Sequence, residues 1–194
     1  MRTVIILTVF ISSFTYLNAQ EPDKTALILI DIQDFYFEGG AVELVDAQEA
    51  GEQAQKLLQL FRDKGLLIVH VKHKATKGSD INKVVCPLVN EKVIEKTEVN
   101  AFIGTDLKEY LDAHHIEHIV MAGMQTHMCL EAGVRAAADF GYEVVVVEDA
   151  CATRDLTYNG LVIPAEQVHF STLSTLKSYA YIMKQEVFLE KFLN

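Results

Sequence analysis

Three residues of this chain have side chains and settings suited to acyl-transfer chemistry: Asp31, Lys96 and Cys129. Cys129 lies in "GMQTHMCLEAGVRAAADFGYEVVVVEDA", between a short apolar strand and an alanine-rich helix. With Thr126 as the helix cap, Cys129 falls in the first turn. There the helix dipole favours a thiolate and free backbone N–H groups point outward. The same position serves equally well for a buried thiol that only packs. Asp31 ends the apolar run "ALILID". Taken alone it reads first as a cap on the following turn. In a partly apolar pocket it would be an acid/base of raised pKa. Lys96, in "EKVIEKTEVNAF", reads by itself as solvated surface. Facing the same rim, it would lower a thiol pKa or steady an oxyanion.

The elements that must position these residues follow from the hydrophobic pattern. "ALILID" and "LLIVHV" are short apolar runs of the kind buried in parallel sheets. "HIVMAG" and "YEVVVVEDA" are two more, and "YAYIM" reads as a last strand. Between them, "AQEAGEQAQKLLQLFRDKG" has helical spacing and stops at Gly65. "TDLKEYLDAHHI" is a helix with Thr105 as its N-cap, and "PAEQVHFSTLSTLKSY" opens on a proline, as helices often do. Strands alternating with helices predict an α/β fold: a three-layer, doubly wound sandwich with a mostly parallel sheet of five to six strands. Such sheets bind ligands beyond the carboxyl ends of their strands. Asp31, the "GMQTHMC" segment and Glu148–Asp149 are expected on that rim.

The 194-residue chain is long enough for one domain with a sizeable core, and its net charge of −10 excludes a phosphate-binding surface of clustered Lys and Arg. Nucleic acid and anionic membranes are therefore not expected partners. Met1–Ala19 reads as a secretory signal peptide: Arg2, an apolar stretch from Thr3 to Leu17, then "LNA" as the cleavage site. The apolar stretch is short for a spanning helix. Residues 20–194 are then the mature domain, exported to the periplasm or the medium. Three cysteines leave at least one thiol without an internal partner, and a Cys86–Cys151 disulfide is compatible with the count. No C-x-x-C pair suggests structural zinc.

The order of an Asp in "LILIDIQDFY", a Lys shortly before "NAFIGT" and a Cys in "GMQTHMC" resembles the isochorismatase-like cysteine hydrolases, a superfamily that includes nicotinamidases and related amidohydrolases. "DACATRD" and "VHFSTLSTL" resemble its later segments. The resemblance covers nearly all of the chain after Lys24. It implies an Asp31–Lys96–Cys129 catalytic triad and a cis peptide bond joining Met124 to Gln125. It further implies an oxyanion hole made by the backbone N–H groups of Gln125 and Cys129. No cofactor is implied, and homodimers or homotetramers are common in such proteins. The implied reaction is cleavage of a C–N bond in a small amide, lactam or carbamoyl substrate through a Cys129 thioester. Vinyl-ether hydrolysis and a catalytically silent binding protein are the alternatives.

One departure bears on substrate. Nicotinamidases carry a metal site built on Asp-x-His, whereas Gln33 stands two residues after Asp31. His70 and His73, three apart on a strand, face opposite sides and read as non-ligands, so no metal is expected. His127 reads as pocket wall or structure. Phe35, Phe37, Phe102 and Met124 are the candidates for a substrate-binding wall.

Overall fold

A computed structural model describes residues 22–193. The signal-peptide reading of residues 1–19 falls outside them. Six strands form one sheet, all pairs parallel, in the order β3-β2-β1-β4-β5-β8. They are β1 (Thr25–Ile30), β2 (Leu67–His73), β3 (Lys92–Lys96), β4 (His118–Met124), β5 (Glu143–Ala152) and β8 (Tyr181–Met183). A two-stranded antiparallel hairpin, β6 (Leu156–Tyr158) and β7 (Leu161–Ile163), stands apart from the sheet.

Helices cover both faces. Alternate residues of β1 point to opposite sides, so one strand feeds two cores. Leu27 and Leu29 pack with α1 (Ala47–Asp63) and α5 (Gln185–Leu193), whose Leu57, Phe61 and Phe188 are buried there. Ala26, Ile28 and Ile30 pack on the other side, under α2 (Leu107–Ala113), α3 (Glu131–Asp139) and α4 (Ala165–Leu176). These are the three layers that the alternating pattern predicts. Among the described residues, no helix is long and apolar enough to cross a membrane.

The chain winds outward in one direction from β1 through β2 to β3, and in the other from β4 through β5 to β8. The switch point therefore lies between β1 and β4, where Ile30 pairs with Gly123. Gly123 has φ +134°, and a Cβ there would sit 2.0 Å from the Ile30 carbonyl oxygen. Only glycine permits this approach. Folds of this topology bind ligands at such a switch point, beyond the carboxyl ends of the strands.

Two elements differ from the sequence-based expectation. The stretch "EKVIEK", whose Lys96 reads as solvated surface, forms the edge strand β3, with Ile94 and Lys96 turned inward and Val93 and Glu95 outward. Thr126 does not cap a helix. It begins a π-turn, Thr126–Leu130, in which the Gln125 carbonyl accepts from the amides of both Met128 and Leu130. The Thr126 hydroxyl instead donates to the Ala152 carbonyl and pairs with His169 Nδ1. Cys86, Cys129 and Cys151 are all free, so the Cys86–Cys151 bridge does not form: Cys86 is exposed and Cys151 buried.

Candidate active site

Asp31 follows the last residue of β1 and has φ +50°. Such a conformation is uncommon for a residue with a Cβ, and Asp is among those that tolerate it. Its amide still donates to the Val71 carbonyl at 2.9 Å. The backbone thus stays tied to β2 while the chain turns out of the strand. Lys96 is the last residue of β3 and stands in register with His73, the last residue of β2. Cys129 sits in the π-turn after β4. Three different strand ends therefore deliver Asp31, Lys96 and Cys129 to the switch point.

The structure brings all three together. Lys96 Nζ lies 2.8 Å from Asp31 Oδ2 and donates to Cys129 Sγ at 3.2 Å. It also meets His73 Nδ1 at 3.1 Å and donates to the Glu98 carbonyl at 3.1 Å. An ammonium has three N–H bonds for these four acceptors. The cluster is dry: relative exposure is 0% for Asp31, 1% for Lys96 and 5% for Cys129.

Burial dominates the electrostatics. It raises the Asp31 pKa above the usual carboxylate value, and the neighbouring Lys96 charge opposes that rise. Burial, then the Asp31 charge, pushes the Cys129 thiol up to about 12, against the pull of Lys96. The helix-end position and Lys96 alone would predict a thiol pKa below the ordinary value. Desolvation and the carboxylate outweigh both. The resting pair is a neutral thiol beside a carboxylate whose proton affinity has been raised.

The peptide bond between Met124 and Gln125 is cis. The Gln125 side chain donates from Nε2 to the Tyr36 hydroxyl at 3.3 Å, and its Oε1 accepts from Arg154 Nε at 3.0 Å. Burial raises the Tyr36 pKa to about 12, against the opposing effect of the hydrogen bond from Gln125. This chain runs from the buried cluster to the exposed Arg154. Gln33, completely buried, clamps the end of β2: its Oε1 accepts from the His73 amide at 2.7 Å, and its Nε2 donates to the carbonyls of His73 and Ser79.

The other sequence candidates disperse. Phe35 (edge-on to Tyr36), Phe37 and Met124 belong to the α1-side core, and Phe102 to the opposite one, against Phe140 and Tyr142. His127 bonds Thr153 Oγ1. His70 faces away from His73, toward Glu91 at 2.9 Å. Glu91 is held at about 2: burial opposes the shift, but Arg62, the Leu88 amide and His70 outweigh it. Glu148 and Asp149 lie within β5 and line a separate cleft of about 720 Å³ with Asp46, Glu49 and Glu166, which none of the three clustered residues lines. Sequence reading missed His73 as a neighbour of the site, and it placed Tyr36 and Arg154 only as candidates for a pocket wall and for a lid or turn. The "HVKH" pairing of two histidines carried the first signal, because only one of them can share a face with Lys96.

Comparison with known proteins bears on the family and the fold. Residues 25–183 match the family model described as "Isochorismatase domain". An uncharacterized isochorismatase family protein, YddQ, from Bacillus subtilis is 39% identical over 178 residues, covering 86% of this chain and 99% of its own. A maleamate amidohydrolase from Pseudomonas putida is 30% identical over 156 residues, covering 68% of this chain and 73% of its own. The crystal structure of a putative isochorismatase hydrolase from Oleispira antarctica superposes with a TM-score of 0.84 at 41% identity, covering 87% of this chain and 97% of that one.

Proposed function

Since the chain belongs to the isochorismatase family and is a hydrolase, we propose that it cleaves the C–N bond of a small amide, lactam or carbamoyl compound, with Asp31, Lys96 and Cys129 as the catalytic residues. The observation that carries this reading is the single ammonium of Lys96 held 2.8 Å from a buried carboxylate and 3.2 Å from a buried sulfur.

In this mechanism Asp31 takes the Sγ–H proton as the sulfur attacks the carbonyl carbon. Lys96 stays cationic and balances the charge that moves from carboxylate to sulfur to oxyanion. The backbone N–H groups of Gln125 and Cys129 hold the oxyanion. As the tetrahedral species collapses, Asp31 returns the proton to the leaving nitrogen and the C–N bond breaks, leaving a thioester. Asp31 then deprotonates water, which attacks the thioester. The acid leaves, and the proton returns to Cys129. The raised affinity of Asp31 for a proton suits it to each transfer. No cofactor takes part.

Arg154 supports a narrower substrate class. It is the exposed cation bonded to Gln125, beside the segment assigned to the oxyanion. An amide that also carries a carboxylate fits it, as maleamate would. Export rests on the Met1–Ala19 reading. A homodimer or homotetramer is part of the proposal, and the exposed Tyr158, Leu161 and Val162 of the hairpin are apolar surface that association would cover.

The test is intact-protein mass spectrometry during turnover of a panel of monoamides of dicarboxylic acids. The expected result is a transient acyl adduct on Cys129 and none in Cys129→Ala, which is inactive. Amide turnover by Cys129→Ala would refute the thioester, and turnover of vinyl ethers without turnover of any amide would favour vinyl-ether chemistry. No adduct and no turnover across amides and vinyl ethers would favour a binding protein.

A further inference from the structure

Three side chains of different chemistry converge on the point that the Lys96 ammonium fills. Asp31 Oδ2, His73 Nδ1 and Cys129 Sγ lie 2.8, 3.1 and 3.2 Å from its nitrogen. The three ligand atoms are within 4.8 Å of one another. A carboxylate oxygen, an imidazole nitrogen and a thiolate are also the donors of a three-ligand zinc site, with bonds of about 2.0–2.3 Å. Tetrahedral geometry at those lengths places donors roughly 3.3–3.8 Å apart, so closure by at most about 1.5 Å converts this cluster into a coordination shell.

We propose that Asp31, His73 and Cys129 form a binding site for a thiophilic divalent cation, zinc above all, in competition with the Lys96 ammonium, and that its occupancy reversibly inhibits the enzyme. Three features support it. The donor set is soft enough to prefer zinc to magnesium or calcium, which seek oxygen. A carboxylate and a thiolate offset the two charges of the ion, and the displaced Lys96 ammonium keeps the Glu98 carbonyl as its partner. His73 is already positioned, since Gln33 grips its amide and its carbonyl. His73 is also only half-buried, which leaves an approach from its side.

The exchange balances. The Sγ–H bond breaks and its proton passes to solvent. Sulfur, His73 Nδ1 and an Asp31 oxygen each direct a lone pair to the ion. Lys96 keeps its proton and withdraws toward the Glu98 carbonyl, already 3.1 Å away. In the resting protein the ammonium is thus the built-in occupant that keeps the thiol free of metal. The inhibitory consequence rests on the proposed thiolate chemistry; the binding itself does not.

The experiment is titration of the chelator-washed full protein with cobalt(II), read by the thiolate-to-cobalt charge-transfer absorption, with zinc then competing the signal away. The wild-type protein should develop the band. Lys96→Met, which lacks the competing charge, should bind cobalt about tenfold more tightly or better, and His73→Ala about tenfold more weakly or worse. Cys129→Ser should show no thiolate band. Absence of the band in the wild type overturns the site, as does unchanged affinity in His73→Ala. Tighter binding in wild type than in a folded Lys96→Met overturns the competition. Should Lys96→Met fail to fold, the wild-type and His73→Ala titrations still decide. Zinc should abolish amide turnover and a chelator restore it; undiminished turnover with the site saturated overturns the inhibition. A cobalt band in a protein that turns over no amide would refute the proposed function and leave the metal site standing.

Discussion

Cys129 and Cys151 stand within the same hydrophobic core, are 5% and 7% exposed, and have thiols pushed up to about 12, in both cases first by burial. By burial and acidity they are near twins. What separates them is their neighbours. Cys151 donates to the Val147 carbonyl at 3.2 Å, and the charges near it, Asp149 and Glu148, are negative. A proton leaving Cys151 has no nearby cation to offset the charge left behind. Cys129 has an ammonium against its sulfur and a carboxylate of raised proton affinity beside it. A high thiol pKa therefore does not by itself mark an inert cysteine. The capacity to move the proton a short distance and compensate the charge does.

The largest expected contrast is in turnover. Cys129→Ala should lose activity by about a thousandfold or more. Cys151→Ala should retain it within a few-fold while costing about 1–2 kcal/mol in stability, measured by denaturant unfolding. Equal losses would end the distinction. The next is Asp31→Asn. Because the Asp31 charge raises the Cys129 pKa, its removal should speed alkylation of Cys129 by iodoacetamide, while turnover falls about a hundredfold or more for want of a base. Faster labelling with slower catalysis is a pairing that a merely structural Asp31 would not produce.

Lys96→Ala should make Cys129 resemble Cys151. Alkylation should fall toward the Cys151 rate, and a carboxylate left alone in the core should cost about 3–5 kcal/mol, read by urea unfolding at neutral pH. The smallest effect lies at alkaline pH. A thiol whose folded pKa of about 12 exceeds its unfolded value favours the folded state below the unfolded pKa, and that advantage is lost as pH rises toward 12. Stability should therefore fall above about pH 9, by at most about 1.4 kcal/mol per pH unit for each thiol. Cys151→Ala should flatten this slope, and an unchanged slope would show that Cys151 titrates freely.

The sequence discloses these neighbours unevenly. β1, β2, β4 and β5 are legible because each is a continuous apolar run, as strands covered on both faces must be. Asp31 is legible with them, as the polar residue that ends such a run. β3 is not, because an edge strand of five residues needs only Ile94 inward, and Lys96 disguises the second inward position as charged loop. Lys96 can be named from the family resemblance, but its inward direction requires the register with His73. The π-turn is equally hidden: "THMCL" carries no local signal distinguishing it from the first turn of an ordinary helix, and Thr126 has the composition of a cap while serving as a tether to Ala152. The links from Tyr36 through Gln125 to Arg154 span more than a hundred residues of chain, which no local pattern encodes.

The placement of Lys96 on β3 has a consequence for durability. Among the described residues β3 pairs with β2 alone and has no strand on its outer side. Edges of a fold open more often and at lower free energy than its centre. The assembled cluster thus survives only as long as the sheet's margin remains closed, although two of its three members are anchored beside the central strands. Activity is therefore expected to fall at denaturant concentrations below the unfolding midpoint, and an activity curve that coincides with unfolding would show this margin to be as stable as the centre.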